Sequence, residues 1–123
     1  MSKRYTKDHE WVELNGDIAT IGISQYATEQ LGDVVYVEVP AVGADFATHA
    51  DMAVVESAKA ASDVYAPIAG KVVEVNDTLS TQPDLVNASP EGDGWFVKIK
   101  IANKAEFDAL MDDAAYADYV KGL

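Results

Sequence analysis

The chain has 123 residues, 21 acidic against 9 basic side chains, a net charge of −12 and a 49% hydrophobic share. That length fits one domain with a sizeable core, and the charge argues against nucleic acid or an anionic membrane surface as partner. With no cysteine there is neither a disulfide framework nor a thiolate nucleophile, so any thiol chemistry has to arrive on an attached group. No apolar run approaches a membrane span, and neither a signal nor a transit peptide is read at the start, so a cytoplasmic location is expected.

In chain order, Lys3 to Thr6 reads as a short edge strand. Trp11 to Leu14 and Asp17 to Ile23 read as a hairpin around Asn15-Gly16, a pair that tolerates the positive φ of a type I′ turn. Ser24 caps a helix over Gln25–Leu31 that Gly32 ends in a left-handed conformation. A β-branched strand, Val34 to Val39, stops at Pro40, and a turn-rich link with Gly43 and His49 runs on to Asp51.

The stretch Ala53 to Tyr65 holds two strand-like runs separated by small residues, with Lys59 near the tip. Ala58, Ala60 and Ala61 leave the amine open to close approach. Such a lysine is either a solvated turn residue, the usual state of lysine, or an accessible amine that another protein approaches. Ala66 to Gly70 makes a turn, Lys71 to Val75 a strand, and Asn76 to Glu91 a loop with a helical turn. Gly92-Asp93-Gly94 leads into a half-buried strand, Trp95 to Ile101, with Lys98 and Lys100 on one face. Asn103 and Glu106 suggest a capping box. Phe107, Leu110, Met111, Tyr116, Tyr119 and Val120 then form an apolar stripe on one or two terminal helices over residues 103–122. Gly32 to Val37 echoes Gly70 to Val75. The echo suggests a two-sheet β sandwich with a pseudo-twofold axis, the two units in opposite sheets and the Lys59 hairpin joining the halves.

Two further groupings carry potential chemistry. Asp8-His9-Glu10 sets carboxylates beside a histidine, as acid–base or metal chemistry requires. A metal wants three or four ligands, and His49, the other histidine, lies far along the chain, so these residues also read simply as the charged approach to the Trp11 strand. Gly92-Asp93-Gly94 opens no helix and is a turn rather than a phosphate cradle.

A family resemblance goes further. Val55-Glu56-Ser57-Ala58-Lys59-Ala60-Ala61-Ser62-Asp63 resembles the lipoyl-attachment motif of glycine cleavage system H proteins. His9-Glu10-Trp11-Val12, Ile21-Gly22-Ile23, Leu31 to Pro40, Ala66 to Gly70, Leu85 to Pro90, Gly92 to Trp95 and Lys98 to Lys100 fit the same family, in its order. Ala58 and Glu91 stand where the family commonly has valine and tyrosine, and Gln30 where some relatives carry histidine.

The resemblance implies a single lipoyl-carrier domain over 1–123, mainly β, of the barrel-sandwich type. It implies lipoic acid in amide linkage to Lys59, with Glu56 and Ser57 as its local context. The implied role is a non-catalytic shuttle in glycine catabolism and one-carbon metabolism. A pyridoxal-phosphate glycine decarboxylase loads an aminomethyl group, a tetrahydrofolate-dependent aminomethyltransferase unloads it, and a flavin (FAD) dihydrolipoyl dehydrogenase reoxidises the dithiol. Lipoate-attaching enzymes are further partners. By the same resemblance Glu10 and Asp63, with Asp8 adding negative field, line a cleft for the cargo amine. Competing readings are a 2-oxoacid dehydrogenase lipoyl domain, which usually shows Asp-Lys-Ala at the tip, a biotin carrier, which shows Met-Lys-Met, and a donor of lipoate to other complexes.

Overall fold

The computed structural model describes residues 2–123. In chain order the elements are β1 (Ser2–Tyr5), β2 (Glu10–Asn15), β3 (Ile18–Ile23), α1 (Gln25–Leu31), β4 (Val34–Glu38), β5 (Asp45–Phe46), β6 (Asp51–Ser57) and β7 (Ala61–Tyr65). They continue with β8 (Gly70–Val75), α2 (Thr78–Thr81), α3 (Leu85–Ala88), β9 (Val97–Ile101), α4 (Lys104–Asp108) and α5 (Asp113–Lys121). The strands form a six-stranded sheet, β1-β2-β3-β9-β8-β5, and a three-stranded sheet, β4-β6-β7. Every pairing is antiparallel.

The sandwich follows from strand patterning. Val12, Leu14, Ile21, Val72, Val97 and Ile99 of the larger sheet are buried in one cluster with Val37, Val55 and Val64 of the smaller. Lys98 and Lys100 point away from it, as their alternation predicts. The repeated strand units do lie in opposite sheets, β4 in the smaller and β8 in the larger. The Lys59 hairpin does not join the halves, however. Its two strands are both in the smaller sheet, and the chain passes from β7 to β8 of the larger one through Ala66–Gly70.

A second cluster covers the outside of the larger sheet. Tyr5, Trp11 and Tyr116 are buried there with Met111, Tyr119 and Val120 packed around them, and the Tyr5 and Tyr116 rings stack at 4.4 Å. The Trp11 indole lies flat on its cross-strand neighbour Gly22, where a Cβ would come within 2.7 Å of Nε1. That nitrogen donates to the Pro90 carbonyl at 2.9 Å. The terminal stripe is thus packing, as its spacing implies.

Four local expectations are corrected. The first hairpin turns on Gly16-Asp17, since Asn15 pairs with Ile18. Of the two loop residues only Gly16 has positive φ, at +66°, which is the II′ signature with glycine first rather than I′. The link before β6 contains β5, two residues paired to β8. The last strand begins at Val97, with Trp95 packed outside it. The capping box is only half formed. Asn103 Oδ1 accepts from Ala105 N–H at 3.0 Å, but the Glu106 carboxylate accepts from Thr48 O–H at 2.8 Å and Ala69 N–H at 3.0 Å, tying α4 to the crossover. The polar stretch after β8 holds two single-turn helices, α2 and α3.

Candidate functional site

The β6–β7 hairpin is held at its end by one side chain. Ser57 Oγ accepts from the N–H of Lys59 at 3.3 Å and of Ala60 at 3.1 Å, and the Ser57 N–H donates to Ala60 O at 2.7 Å. The Ala58 N–H donates to Asp33 O at 3.2 Å, fastening the tip to the smaller sheet. Ala58, Lys59, Ala60 and Ala61 are all exposed, as the small residues imply. Glu56 is half-buried, opposite Ala61 on one side and Tyr36 on the other.

The lysine stem passes over Gly32, with Cε 3.6 Å from where a Cβ would stand. Gly32 ends α1 at φ +82° and ψ −155°, a conformation open essentially to glycine alone. Asn87 clamps this junction, donating to Gly32 O at 2.9 Å and accepting from Val34 N–H at 2.7 Å. The root of the lysine side chain is therefore fixed beside the C-terminal end of α1.

A cleft of about 300 Å³ lies between α1, the β6–β7 hairpin and the start of β2, with Leu31, the neighbour of Gly32, in its wall. Asp8, His9, Glu10 and Asp63 line it, together with Tyr26 and Gln30 of α1. The three carboxylates singled out from the sequence are thus brought together, but in unlike settings. Asp8 and Asp63 are exposed. Glu10 is 2% exposed and is no surface charge at a strand's start. Its Oε1 accepts from Thr6 O–H at 2.7 Å and its Oε2 from Tyr65 N–H at 3.4 Å. Burial outweighs these two bonds and, with the Asp8 charge, pushes the carboxyl up to about 7.

His9 is half-buried and adopts φ +70°; burial lowers its pKa against the opposing charge of Asp8, which favours the neutral ring. His49 is nearer than its sequence distance implies, sharing a shallow pocket with Lys7 and Asp8. Among the described residues, no group of three or more His, Cys, Asp or Glu side chains is placed to hold a metal ion.

Glu91, where the family commonly has tyrosine, ties three segments together. It accepts from Tyr5 O–H at 2.6 Å and from Gln25 N–H at 3.0 Å, and it pairs with Lys3. Sequence reasoning missed the contribution of α1 to the cleft. The i, i+4 pairs Tyr26/Gln30 and Ala27/Leu31 set those side chains on one face and are the signal that would have found it.

Two opposed sheets, a hairpin presenting a lysine at an open tip and an acidic cleft beside the root of that lysine define a swinging-arm carrier. The Glycine cleavage H-protein family model matches residues 3–122. The chain is 62% identical to the glycine cleavage system H protein of Phenylobacterium zucineum, over 95% of this chain and 97% of that one. It is 50% identical to that of Thermotoga maritima, over 95% and 94%. The crystal structure of a glycine cleavage system H protein from Mycobacterium marinum superposes with a TM-score of 0.87 at 33% identity, covering 99% of this chain and 98% of that one. The chain belongs to the glycine cleavage H-protein family, lipoylated carriers of the glycine cleavage system, whose members hold lipoate on a lysine. The biotin-carrier and 2-oxoacid dehydrogenase readings are set aside. The tip fits the group: the Lys59 side chain is exposed, its backbone is held by Ser57, and its stem passes over Gly32, whose neighbour Leu31 lines the cleft.

Proposed function

We propose that Lys59 is the lysine that carries the lipoyl group, and that Glu10, assisted by Asp63 and the field of Asp8, parks the amine of the cargo between encounters. When bound, the lipoyl group supplies the pair of sulfurs that this cysteine-free chain lacks. The observation that carries the reading is the buried carboxyl of Glu10 in the wall of a cleft that Leu31 also lines, next to the Gly32 over which the Lys59 stem passes. An ammonium against a buried carboxylate gains about 1.5–3 kcal/mol, whereas an exposed partner contributes roughly 1 kcal/mol or less. Glu10 is therefore the main holder and Asp63 the lesser one.

The pH dependence has a definite sign. Glu10 is protonated in a large fraction of molecules near its pKa of about 7. An arriving ammonium favours the carboxylate and releases that proton. Retention of the amine strengthens as pH rises through 7, until the amine itself loses its charge.

Ser57 sets the shape of the tip and Glu56, on the flanking strand, is the acidic mark read by lipoate-attaching enzymes. The partners are the pyridoxal-phosphate decarboxylase, the tetrahydrofolate-dependent aminomethyltransferase and the FAD dihydrolipoyl dehydrogenase, in that order, with the chain itself catalysing none of their steps. Residues 1–123 act as one carrier domain with 103–122 as its helical end, and the bacterial relatives support a cytoplasmic setting. The test loads the lipoylated protein with glycine and the decarboxylase, removes that enzyme, and follows loss of the cargo by mass spectrometry. The Glu10→Gln/Asp63→Asn protein should lose it at least about tenfold faster, the equivalent of about 1.5 kcal/mol or more. Equal lifetimes would rule out the carboxylate clamp.

A further inference from the structure

Tyr116 lies at the far end of the chain, yet its hydroxyl sits 2.8 Å from His9 Nδ1 and 2.7 Å from Ser24 Oγ. Distances alone leave the direction of these bonds open, and proton bookkeeping decides it. Ser24 is fully buried. Its Oγ already accepts the Ala27 N–H at 3.2 Å as the cap of α1. Among the described residues, the Tyr116 oxygen is the acceptor within reach of the Ser24 hydroxyl hydrogen. Were Tyr116 to donate to Ser24, a buried O–H would be left unsatisfied at its full desolvation cost. Ser24 therefore donates to Tyr116, Tyr116 donates to His9 Nδ1, and the single proton of the neutral imidazole resides on Nε2.

His9 is held in place from several sides. Its carbonyl accepts from Ser24 N–H at 2.8 Å and its N–H donates to Thr6 O at 3.2 Å, which together sustain the left-handed backbone. Its ring rests against Tyr26 at 4.7 Å, on the wall of the cleft. With Nδ1 engaged by Tyr116, Nε2 is the remaining ring nitrogen of a residue that lines the cleft.

We infer that His9 is a hydrogen-bond donor built into the cleft, fixed as its Nε2–H tautomer by the positioning residue Tyr116, and that it binds a sulfur of the lipoyl arm. The choice of partner rests on the cargo-cleft reading above; the tautomer does not. An N–H donor cannot receive an ammonium, so the amine goes to the carboxylates and His9 must meet an acceptor. The arm has two kinds, its amide carbonyl and its sulfurs. The amide follows the lysine stem at the Gly32 end, whereas the sulfurs travel with the amine. The cleft then has a polarity, with acceptors for the cargo nitrogen and a donor for the sulfur beside it. The same assignment excludes His9 as a base acting on the amine, because its lone pair is already occupied.

The test uses imidazole 15N NMR on the full protein. In the unmodified parent at neutral pH, His9 should show a pyridine-like Nδ1 and a pyrrole-like Nε2; the reverse pattern would overturn the assignment. In Tyr116→Phe, which keeps the ring stacked on Tyr5, the Nε2–H population should fall as the Nδ1 donor disappears. An unshifted tautomer in a variant that folds, by circular dichroism, would remove Tyr116 from the account. After lipoylation and loading, the parent Nε2 resonance should shift and its proton should exchange more slowly. His9→Gln, which retains a donor, should hold the cargo nearer the parental lifetime than His9→Leu. An Nε2 signal indifferent to loading would overturn the sulfur contact. A signal that responds in a protein whose Glu10/Asp63 double variant keeps its cargo would sink the carboxylate clamp and leave the His9 assignment standing.

Discussion

The tip of the β6–β7 hairpin and the wall of the cleft are neighbours built on opposite terms. From Ala58 to Asp63 every residue is exposed, and much of the tip's order comes from the Ser57 hydroxyl. At the cleft wall Glu10 is almost wholly buried and receives two hydrogen bonds. An amine that another enzyme must reach needs room and few contacts. A carboxyl that must hold a cation against water needs burial and a fixed position. The smaller sheet supplies the first and its junction with β2 supplies the second, so presentation and retention are separate properties of one short stretch of surface.

Four substitutions separate them further. The largest effect is expected from Lys59→Arg, which keeps the charge but cannot form the amide. Intact mass and peptide mapping after expression in a lipoylating cell should show complete loss of the group, and a lipoyl peptide from any other lysine would refute the assignment. Next is Glu10→Gln, which should leave attachment alone and change stability. A carboxyl raised from 4.5 to about 7 in the folded state binds its proton better folded than unfolded. Stability conferred by that proton is full at low pH and is lost as pH rises through 7. Between pH 5 and 8 the parent should therefore lose about 2 kcal/mol relative to the glutamine variant in urea titrations; parallel pH profiles would refute the shift. Smaller again are Ser57→Ala and Glu56→Ala, the first loosening the tip and the second removing an acidic mark. Each should slow lipoylation several-fold in a timed assay with purified attaching enzyme and leave thermal unfolding within a few degrees of the parent.

The two regions also differed in how far they could be read beforehand. The tip was legible because its signals are local: β-branched runs, a gap of small residues and a lysine within it. Helix α1 was equally plain, since Ser24 and Gly32 mark its ends at the places the structure uses. The cleft was hardly legible from the residues themselves. A Glu beside Asp and His reads as a surface charge, and what buries Glu10 is non-local, a hydrogen bond from Tyr65 N–H that exists only once the smaller sheet packs against β2. Helical spacing marks Tyr116 as packing, but spacing says nothing about a hydroxyl that finds His9 across 107 positions. Strand β5 escaped because two residues carry no alternation and their partner strand lies well downstream.

The three-stranded sheet leaves β4 and β7 as edges, and an unpaired strand edge is a template on which another chain can add itself. Both pairings of this sheet are irregular, the register slipping between Val34 and Tyr36 in one and between Asp51 and Ala53 in the other. The first slip falls at the exposed Val35, where a straight, flat edge would be most adhesive, while Asp63 places a charge on the other edge. A carrier works by meeting its partners often and so has to be concentrated without sticking to itself. The bulge beside Val35, the Asn87 side chain on Val34 N–H and the charge of Asp63 each blunt these edges.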